Sequence, residues 1–368
     1  MKGLSIALIL VALPLSPLLG CRKAARAGGN DKAVDTGRWI EQLTDPAAGK
    51  RQEAAFSLAN SAAAAKAALG PLTKALRDSD GEVRAQAAVA LSKVGPDAGA
   101  AVPALIEMMK NDSSVTARSY ATWALGEIGP GAKSAVPSLM EALSDKVVAE
   151  SAAAALETLG EGPAAAKRLT DIVHDAKAAP ETRASAVMGL KKAGDRKAAV
   201  ALMISIIEDK KALPEIRRAA ALGVGHMGYD RVEEAKSAVP ALLANLDHPD
   251  VCHSGPWSLW ALGATEQAVA RLTGLLAHRN PQLKAQAASG LVHMAGGNPP
   301  PEAKTAVPAL IEALKARDDA RTAVISALGE IGPDAKEAVP ALMALLKDDD
   351  EWTRDRANDA IKKIAPNP

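Results

Sequence analysis

A pentapeptide returns along this chain at a nearly fixed interval, and that return limits the possible folds more than any other feature. The string Ala-Val-Pro-Ala-Leu stands at Ala101–Leu105, Ala238–Leu242, Ala306–Leu310 and Ala338–Leu342, with a Ser variant at Ala135–Leu139. Its Val falls at positions 102, 136, 239, 307 and 339. The gaps of 34, 103, 68 and 32 residues are close to one, three, two and one units. Weaker copies near Ala166, Ala199 and Val269, and two upstream near Thr36 and Leu69, bring the count to ten. A fixed period of this length marks a stacked repeat array. The ten units leave no room for a second domain.

Each unit follows one grammar. The Val-Pro opens a first helix, as in Pro103–Lys110, because a proline in the first turn forfeits only an amide that has no intrahelical partner. A polar break follows, such as Asp78-Ser79-Asp80 or Asn111-Asp112-Ser113, whose side chains can accept from the free amides of the next helix. The second helix reads Val83-Arg84-Ala85-Gln86-Ala87-Ala88-Val89-Ala90-Leu91, with Ala87, Ala88, Leu91 and Val94 on one face. Gly-Pro closes the unit at Gly95-Pro96, Gly129-Pro130 and Gly332-Pro333. That pair suits a left-handed cap followed by a residue that cannot continue the helix. One such hairpin cannot bury its apolar face alone, so neighbours must stack into an α-solenoid.

Composition agrees. Hydrophobic residues make up 48% of the 368, yet aromatics only 2%: five Trp, two Tyr and one Phe. Alanine fills roughly a fifth of the chain, which suits closely packed helices, since it is the best helix former and lets backbones approach. A sandwich, barrel or doubly wound sheet needs more β-branched and aromatic residues. The expected class is all-α. The 44 Lys and Arg against 43 Asp and Glu exclude a dominating basic nucleic-acid surface.

The second-helix start Asp80-Gly-Glu-Val-Arg84 and the ending Ala121-Thr-Trp-Ala-Leu-Gly-Glu-Ile-Gly129 resemble HEAT repeats, most of all the short variety found in phycobilisome lyases. The resemblance runs from Thr36 to the C-terminus. It implies an armadillo-like right-handed superhelix and is specific for architecture, not for activity. Tetratricopeptide repeats share the period, but their Trp, Gly and Tyr positions in the first helix are missing here. In HEAT-like folds the Arg opening the second helix pairs with an acidic residue of the inter-helix turn. The resemblance therefore implies a ladder from Arg84, Arg118, Arg183, Arg217, Arg321 and Arg354, with Asp80, Asp112, Asp318 and Asp350 as candidate partners.

The first twenty residues read as a leader. Lys2 precedes an apolar run from Ile6 to Leu19 that Pro14 and Pro17 interrupt, and which is too short to span a bilayer. The exit Leu18-Leu19-Gly20-Cys21 resembles the lipobox of bacterial lipoproteins, which implies lipidation at Cys21 and an extracytoplasmic, membrane-anchored protein. An ordinary cleaved secretory signal is the alternative. The expected division is 1–20 leader, 21–35 flexible tether and 36–368 solenoid. Without the leader, Lys and Arg balance Asp and Glu at 43 each, and Cys252 is the only thiol besides Cys21, so no internal disulfide is expected.

Departures from the repeat carry more information than the repeat. Two junctions are long: Gly228 to Val239, carrying Tyr229, and Gly296 to Val307, carrying Gly297-Asn-Pro-Pro-Pro301. Between them unit seven diverges most, as His248-Pro-Asp-Val-Cys-His-Ser-Gly-Pro-Trp-Ser-Leu-Trp260, with Gly255 in place of the repeat Arg and Pro256 expected to delay its second helix. Five of six histidines fall in this region. Three readings compete. A protein or peptide docking patch would use Trp257 and Trp260 as anchors, with His253, Tyr229 and His293 beside them. A metal site would use His248, Cys252 and His253, although Pro249 and Gly255-Pro256 argue against one helix presenting all three. Thirdly, Trp123 is placed at the same repeat position as Trp260, and on that reading the Trp fills core space and nothing else.

No catalytic pattern is present: no G-x-S-x-G, H-E-x-x-H, Walker loop or dinucleotide glycine motif. The HEAT-like deoxyhypusine hydroxylases hold iron with His-Glu pairs, and no histidine here precedes Glu. The expected function is a non-enzymatic extracytoplasmic scaffold, monomeric and without cofactor, binding a protein or peptide on its concave face. The alternative is a bilin-lyase-like enzyme or a metal-binding protein with a site around units seven and eight.

Overall fold

The computed structural model describes residues 35–366. The leader, Cys21 and the tether up to position 34 lie outside the described residues. The rest forms ten helical hairpins in chain order. Hairpin one pairs α1 (Thr36–Gln42) with α2 (Ala48–Ala59), and hairpin two pairs a broken first helix, α3 (Ala62–Ala67) and α4 (Leu69–Ala75), with α5 (Gly81–Val94). Hairpins three to six follow: α6 (Val102–Asn111) with α7 (Val115–Ile128), α8 (Val136–Ala142) with α9 (Ala149–Thr158), α10 (Gly162–His174) with α11 (Pro180–Leu190), and α12 (Arg196–Glu208) with α13 (Pro214–Tyr229). Hairpins seven to ten pair α14 (Val239–Ala244) with α15 (Pro249–Ala261), α16 (Thr265–Leu275) with α17 (Pro281–His293), α18 (Val307–Ala313) with α19 (Arg321–Ile331), and α20 (Val339–Leu345) with α21 (Glu351–Ile364).

The expected α-solenoid is what forms. Helix starts are set by turn side chains: Asp80 accepts from the amides of Glu82 and Val83 at 3.0 Å, Ser114 from Ala117 at 3.2 Å, and Asp350 from Thr353 at 2.8 Å. Helix ends are set by glycine. Gly95, Gly129 and Gly332 adopt φ of 68°, 63° and 70°, the left-handed region that glycine enters without steric cost. The chain then runs through a short 3-10 segment, as at Gly95–Ala101, straight into the Val-Pro of the next hairpin. Hairpin six ends instead on Arg231 at φ 60°, in the left-handed region without glycine.

One column of side chains forms the core. Leu58, Leu91, Leu125, Leu156, Leu259, Leu291 and Leu328 from the second helices are fully buried. They meet Leu72, Leu105, Leu139, Leu169, Leu242, Leu272, Leu310 and Leu342 from the first helices, equally buried. Alanines such as Ala87, Ala121, Ala152 and Ala287, one turn before the second-helix leucines, let those helices approach. Neighbouring second helices touch along most of their length, as α5 on α7, α13 on α15 and α19 on α21, while neighbouring first helices meet sparingly. The second-helix side is thus the tighter, inner side of the stack.

The expected cation ladder forms in part: Arg84, Arg217 and Arg321 hold carboxylates, with Asp112 and Asp318 serving among the expected partners, whereas Arg118, Arg183 and Arg354 donate to backbone carbonyls instead. Each rung points forward to the turn of the next hairpin: Arg51 to Asp78 at 2.7 Å, Arg84 to Asp112 at 2.6 Å, Lys284 to Asp318 at 2.5 Å and Arg321 to Asp348 at 2.8 Å. Asp80 and Asp350 are helix caps instead. The register of the core leucines also corrects unit seven. Seven residues before Leu125 and Leu291 stand Arg118 and Lys284; seven before Leu259 stands Cys252, so Cys252 replaces the rung and Gly255 replaces a core alanine. Pro256 does not delay the helix, because α15 starts at Pro249 and carries Pro256 inside it.

Candidate functional site

Two residues before the core position of each second helix, a leucine in most hairpins but Val224 in α13 and Ile361 in α21, the side chain opens onto the inner face. From hairpin two to hairpin seven this position holds Val89, Trp123, Ala154, Met188, Leu222 and Trp257, all partly exposed and all apolar. The line turns polar after that, at Ser289, Ser326 and Asp359. A row of half-buried apolar groups across six hairpins is a continuous surface, not scattered exposure. The same register shows that Trp123 corresponds to Trp257, and that Trp260 corresponds to Gly126. This corrects the expectation that Trp123 and Trp260 share a repeat position.

Seven of the eight aromatic residues lie on second helices, and five of them gather on this face in two groups. In the first, Tyr120 meets Trp123 edge-on with ring centroids 6.4 Å apart, and Lys93 Nζ lies 5.7 Å from the Trp123 ring centroid. In the second, Trp260 tilts against Tyr229 at 6.4 Å and Trp257 lies against the His226 ring at 4.8 Å. Tyr120, Lys93 and the surface role of Trp123 escaped the sequence reading, and His226 was counted among the region's histidines without a role. His226 was detectable there, since it sits one helical turn before Tyr229 and so shares its face.

Charged pairs join the two groups. A shallow cavity of about 150 Å³ beside Trp123 is lined by Glu127, Glu150, Ser151 and Lys192. Glu150 holds Lys191 at 2.8 Å with the Lys191 side chain only 6% exposed, and Lys192 reaches Asp230 at 3.4 Å. Burial, and then the nearby Lys191 charge, hold the His226 imidazole below its ordinary pKa, so the ring beside Trp257 favours its neutral form. Burial and the Glu82 carboxylate push the Tyr120 phenol up.

The divergence of unit seven is matched in its neighbours. A Cβ added at Gly225 of α13 would lie 2.7 Å from Trp257 Cζ3 and from Ser258 Cβ, and one at Gly290 of α17 would lie 2.8 Å from Pro256 Cγ. Glycines therefore open the space that Trp257, Ser258 and Pro256 fill. Ser258 donates to the Ala221 carbonyl of α13 at 2.9 Å, which ties the two helices together. Of the long junctions, the first is not a loop. Gly228 lies inside α13, whose extra length carries Tyr229 out to 62% exposure.

Along α15, residues 253, 257 and 260 share one face, so His253 stands exposed beside the half-buried Trp257 and Trp260. His293 is exposed at the end of α17, its ring 3.0 Å from the Ser289 carbonyl of its own helix. The weak metal candidates separate: His248 precedes α15, Cys252 is buried among core side chains, and His253 faces solvent. Burial pushes the Cys252 thiol up to about 12. Among the described residues no three His, Cys, Asp or Glu side chains form a group able to hold a metal ion.

Comparison with known proteins bears on the fold. The family model for HEAT repeats matches residues 37–115, 102–179 and 268–362, and that for the PBS lyase HEAT-like repeat matches 216–248. Comparison with curated protein sequences gives no match. Among solved structures, yeast importin-beta (Kap95p) aligns with TM-score 0.52 at 17% identity, covering 90% of this chain and 53% of that one. A Kap95:Nup1 complex aligns with TM-score 0.52 at 16% identity and the same coverage, so this chain spans about half the length of the importin it matches. The complex of CpcE and CpcF of phycocyanin lyase from Nostoc aligns with TM-score 0.38 at 20% identity, covering 66% of this chain and 97% of that one. The two importin alignments speak for architecture alone. With the matched repeats spanning more than half of its length, the chain belongs to the HEAT-repeat family.

Proposed function

We propose that this protein is a non-enzymatic, extracytoplasmic scaffold that holds a protein or peptide against the inner face of its solenoid, and that Cys21 tethers it to a membrane. The carrying observation is the apolar line from Val89 to Trp257, with an aromatic group near each end. Half-buried Trp and Tyr make strong anchors, because each presents a large rigid surface at low entropic cost and keeps a polar tip for hydrogen bonding. The solenoid fold suits such binding by offering an extended surface fixed by a continuous core.

A photo-crosslinking amino acid at position 229 tests the docking. Adducts formed in native membranes are expected to disappear when Trp257→Ala and Trp260→Ala are combined, with the thermal melt still cooperative. Adducts that survive in that folded double variant remove the basis of the docking face. Detergent phase partitioning tests the tether: the wild-type chain is expected in the detergent phase and Cys21→Ser in the aqueous phase. A Cys21→Ser chain that stays in the detergent phase refutes lipidation without touching the docking result.

A further inference from the structure

Short of the last hairpin, the ladder lacks a carboxylate at two arginines, at the turn end of the stack and away from the inner face: Arg118, whose Nη1 donates to the Asp112 carbonyl at 3.0 Å, and Arg183 between hairpins five and six, the second of which lines a cavity. Arg51 and Arg84 each give Nε and Nη2 to one aspartate, with all four distances between 2.6 and 2.8 Å. Arg183 occupies the same register, yet its Nε donates to the Val173 carbonyl at 2.8 Å, and neither Nη has a partner among the described residues. Turn length explains this. Asp78 and Asp112 stand six residues before Arg84 and Arg118, whereas Asp209 stands eight before Arg217. The two extra residues carry Asp209 off the ladder line, where one of its oxygens accepts from the Lys211 amide at 2.9 Å.

What takes the place of the missing carboxylate is a cavity of about 270 Å³. Arg183, Asp209 and Lys211 face it, and Leu202, Ile206 and Leu213 give it an apolar wall. His174 also borders it, its ring held 2.9 Å from the Thr170 carbonyl. Arg217 finds its carboxylate in the following hairpin, where Asp250 lies 3.1 Å away. We propose that this cavity takes the carboxylate of a partner peptide, held end-on by the two Nη groups of Arg183, with an aliphatic side chain against Leu202, Ile206 and Leu213. A partly buried guanidinium recognises a carboxylate through two parallel charge-assisted hydrogen bonds, and Lys211 adds a second cation at the rim. The idea is independent of the inner-face reading, and either can fail alone.

Methyl NMR on the full chain, titrated with N-acetyl-leucine, tests it. The methyls of Leu202, Ile206 and Leu213 are expected to shift and saturate, while N-acetyl-leucinamide, which lacks the charge, binds about tenfold more weakly or worse. Arg183→Gln is expected to lose the response. Lys211→Glu, an exposed change that disturbs no packing, is expected to weaken it several-fold with an unchanged melt. N-acetyl-leucyl-glutamyl amide separates the two sources: tighter binding than N-acetyl-leucine assigns a side-chain carboxylate, weaker binding a peptide C-terminus. Equal affinity for the amide, an undiminished response in both variants, or no saturable shift would overturn the proposal. So would saturation of the same shifts by inorganic phosphate at lower concentration.

Discussion

Arg84 holds Asp112 in a forked pair of hydrogen bonds, Nε to Oδ2 and Nη2 to Oδ1, both 2.6 Å, across the joint between hairpins two and three. The same arginine gives Nη1 to the Asp78 carbonyl at 2.8 Å, so it ties its own turn to the next one. The Asp112 side chain is only 5% exposed, and removing it strands a mostly buried cation. Asp112→Ala is expected to cost about 3 kcal/mol, the scale for breaking a buried pair. Asp171→Ala, which breaks the exposed Lys167 pair, is expected to cost about 0.5 kcal/mol or less. Denaturant midpoints of the two variants, measured side by side, check the contrast.

Acid is expected to act on the same joints. The Arg84 hydrogen bond holds the Asp112 carboxyl below its ordinary value, and Lys284 does the same for Asp318. For Asp78, burial pushes upward, but the Arg51 bond and the Asp80 amide outweigh it and the net direction is down. A carboxyl with a lowered folded pKa stabilises the fold above the unfolded value, and that stability is lost as pH falls through the folded one. The unfolding midpoint is therefore expected to hold from neutrality to about pH 4 as far as these groups decide it, and to fall below that. Asp112→Asn is expected to flatten the fall, because it removes one of the groups that titrate.

Most of the fold was readable in the sequence, because it repeats. Ten copies of one hairpin averaged away local ambiguity, and the Gly-Pro pairs marked the ends of second helices while the Val-Pro pairs marked the starts of first helices. Register inside a divergent unit was less readable. In unit seven the Ala-Leu-Gly ending shifts by one turn, so Trp260 aligned in sequence with Trp123, while the core leucines align Trp257 with it. Only packing against Leu259 fixes that register. The direction of the ladder was hidden for a related reason, since a cation near an aspartate in sequence reaches the one in the next hairpin instead. Of the candidate site, Trp257, Trp260 and Tyr229 were visible as rare residues. The apolar line joining them to Trp123 was not, because Val, Ala and Met are unremarkable until their exposure is known.

The His226 ring makes the inner face sensitive to mild acid. Burial lowers its pKa first; Lys191 and Lys192 lower it further, and Glu150 and Asp230 partly oppose them. The unfolded chain then binds a proton before the folded one does, so this group's contribution to stability is lost as pH drops from about 6.5 through the folded pKa. A His226 side-chain resonance titrating below the ordinary histidine value is expected by NMR. A fall in thermal midpoint between pH 7 and pH 5 that shrinks in His226→Gln is its counterpart in stability.

The joint around α15 allows a sharper trial, because two departures from the repeat meet there. Pro256 inside the helix has no amide to give the Cys252 carbonyl, which costs about 3 kcal/mol in an ordinary helix interior. Its ring occupies the space that Gly290 leaves open, 2.8 Å from where a Cβ would stand. Gly290→Ala alone is expected to force α15 and α17 apart and cost about 1–3 kcal/mol, the usual range for overpacking. Pro256→Ala restores the amide and shortens the side chain, which offsets the contacts it loses. In that background Gly290→Ala fills vacated space instead of colliding, so its cost is expected to shrink to near zero. The two changes should therefore couple by more than about 0.5 kcal/mol in a double-mutant cycle, the scale above which neighbouring sites are distinguished from independent ones. If Gly290→Ala costs the same with Pro256 and without it, the glycine is not there to admit the ring, and the divergence of unit seven has another cause.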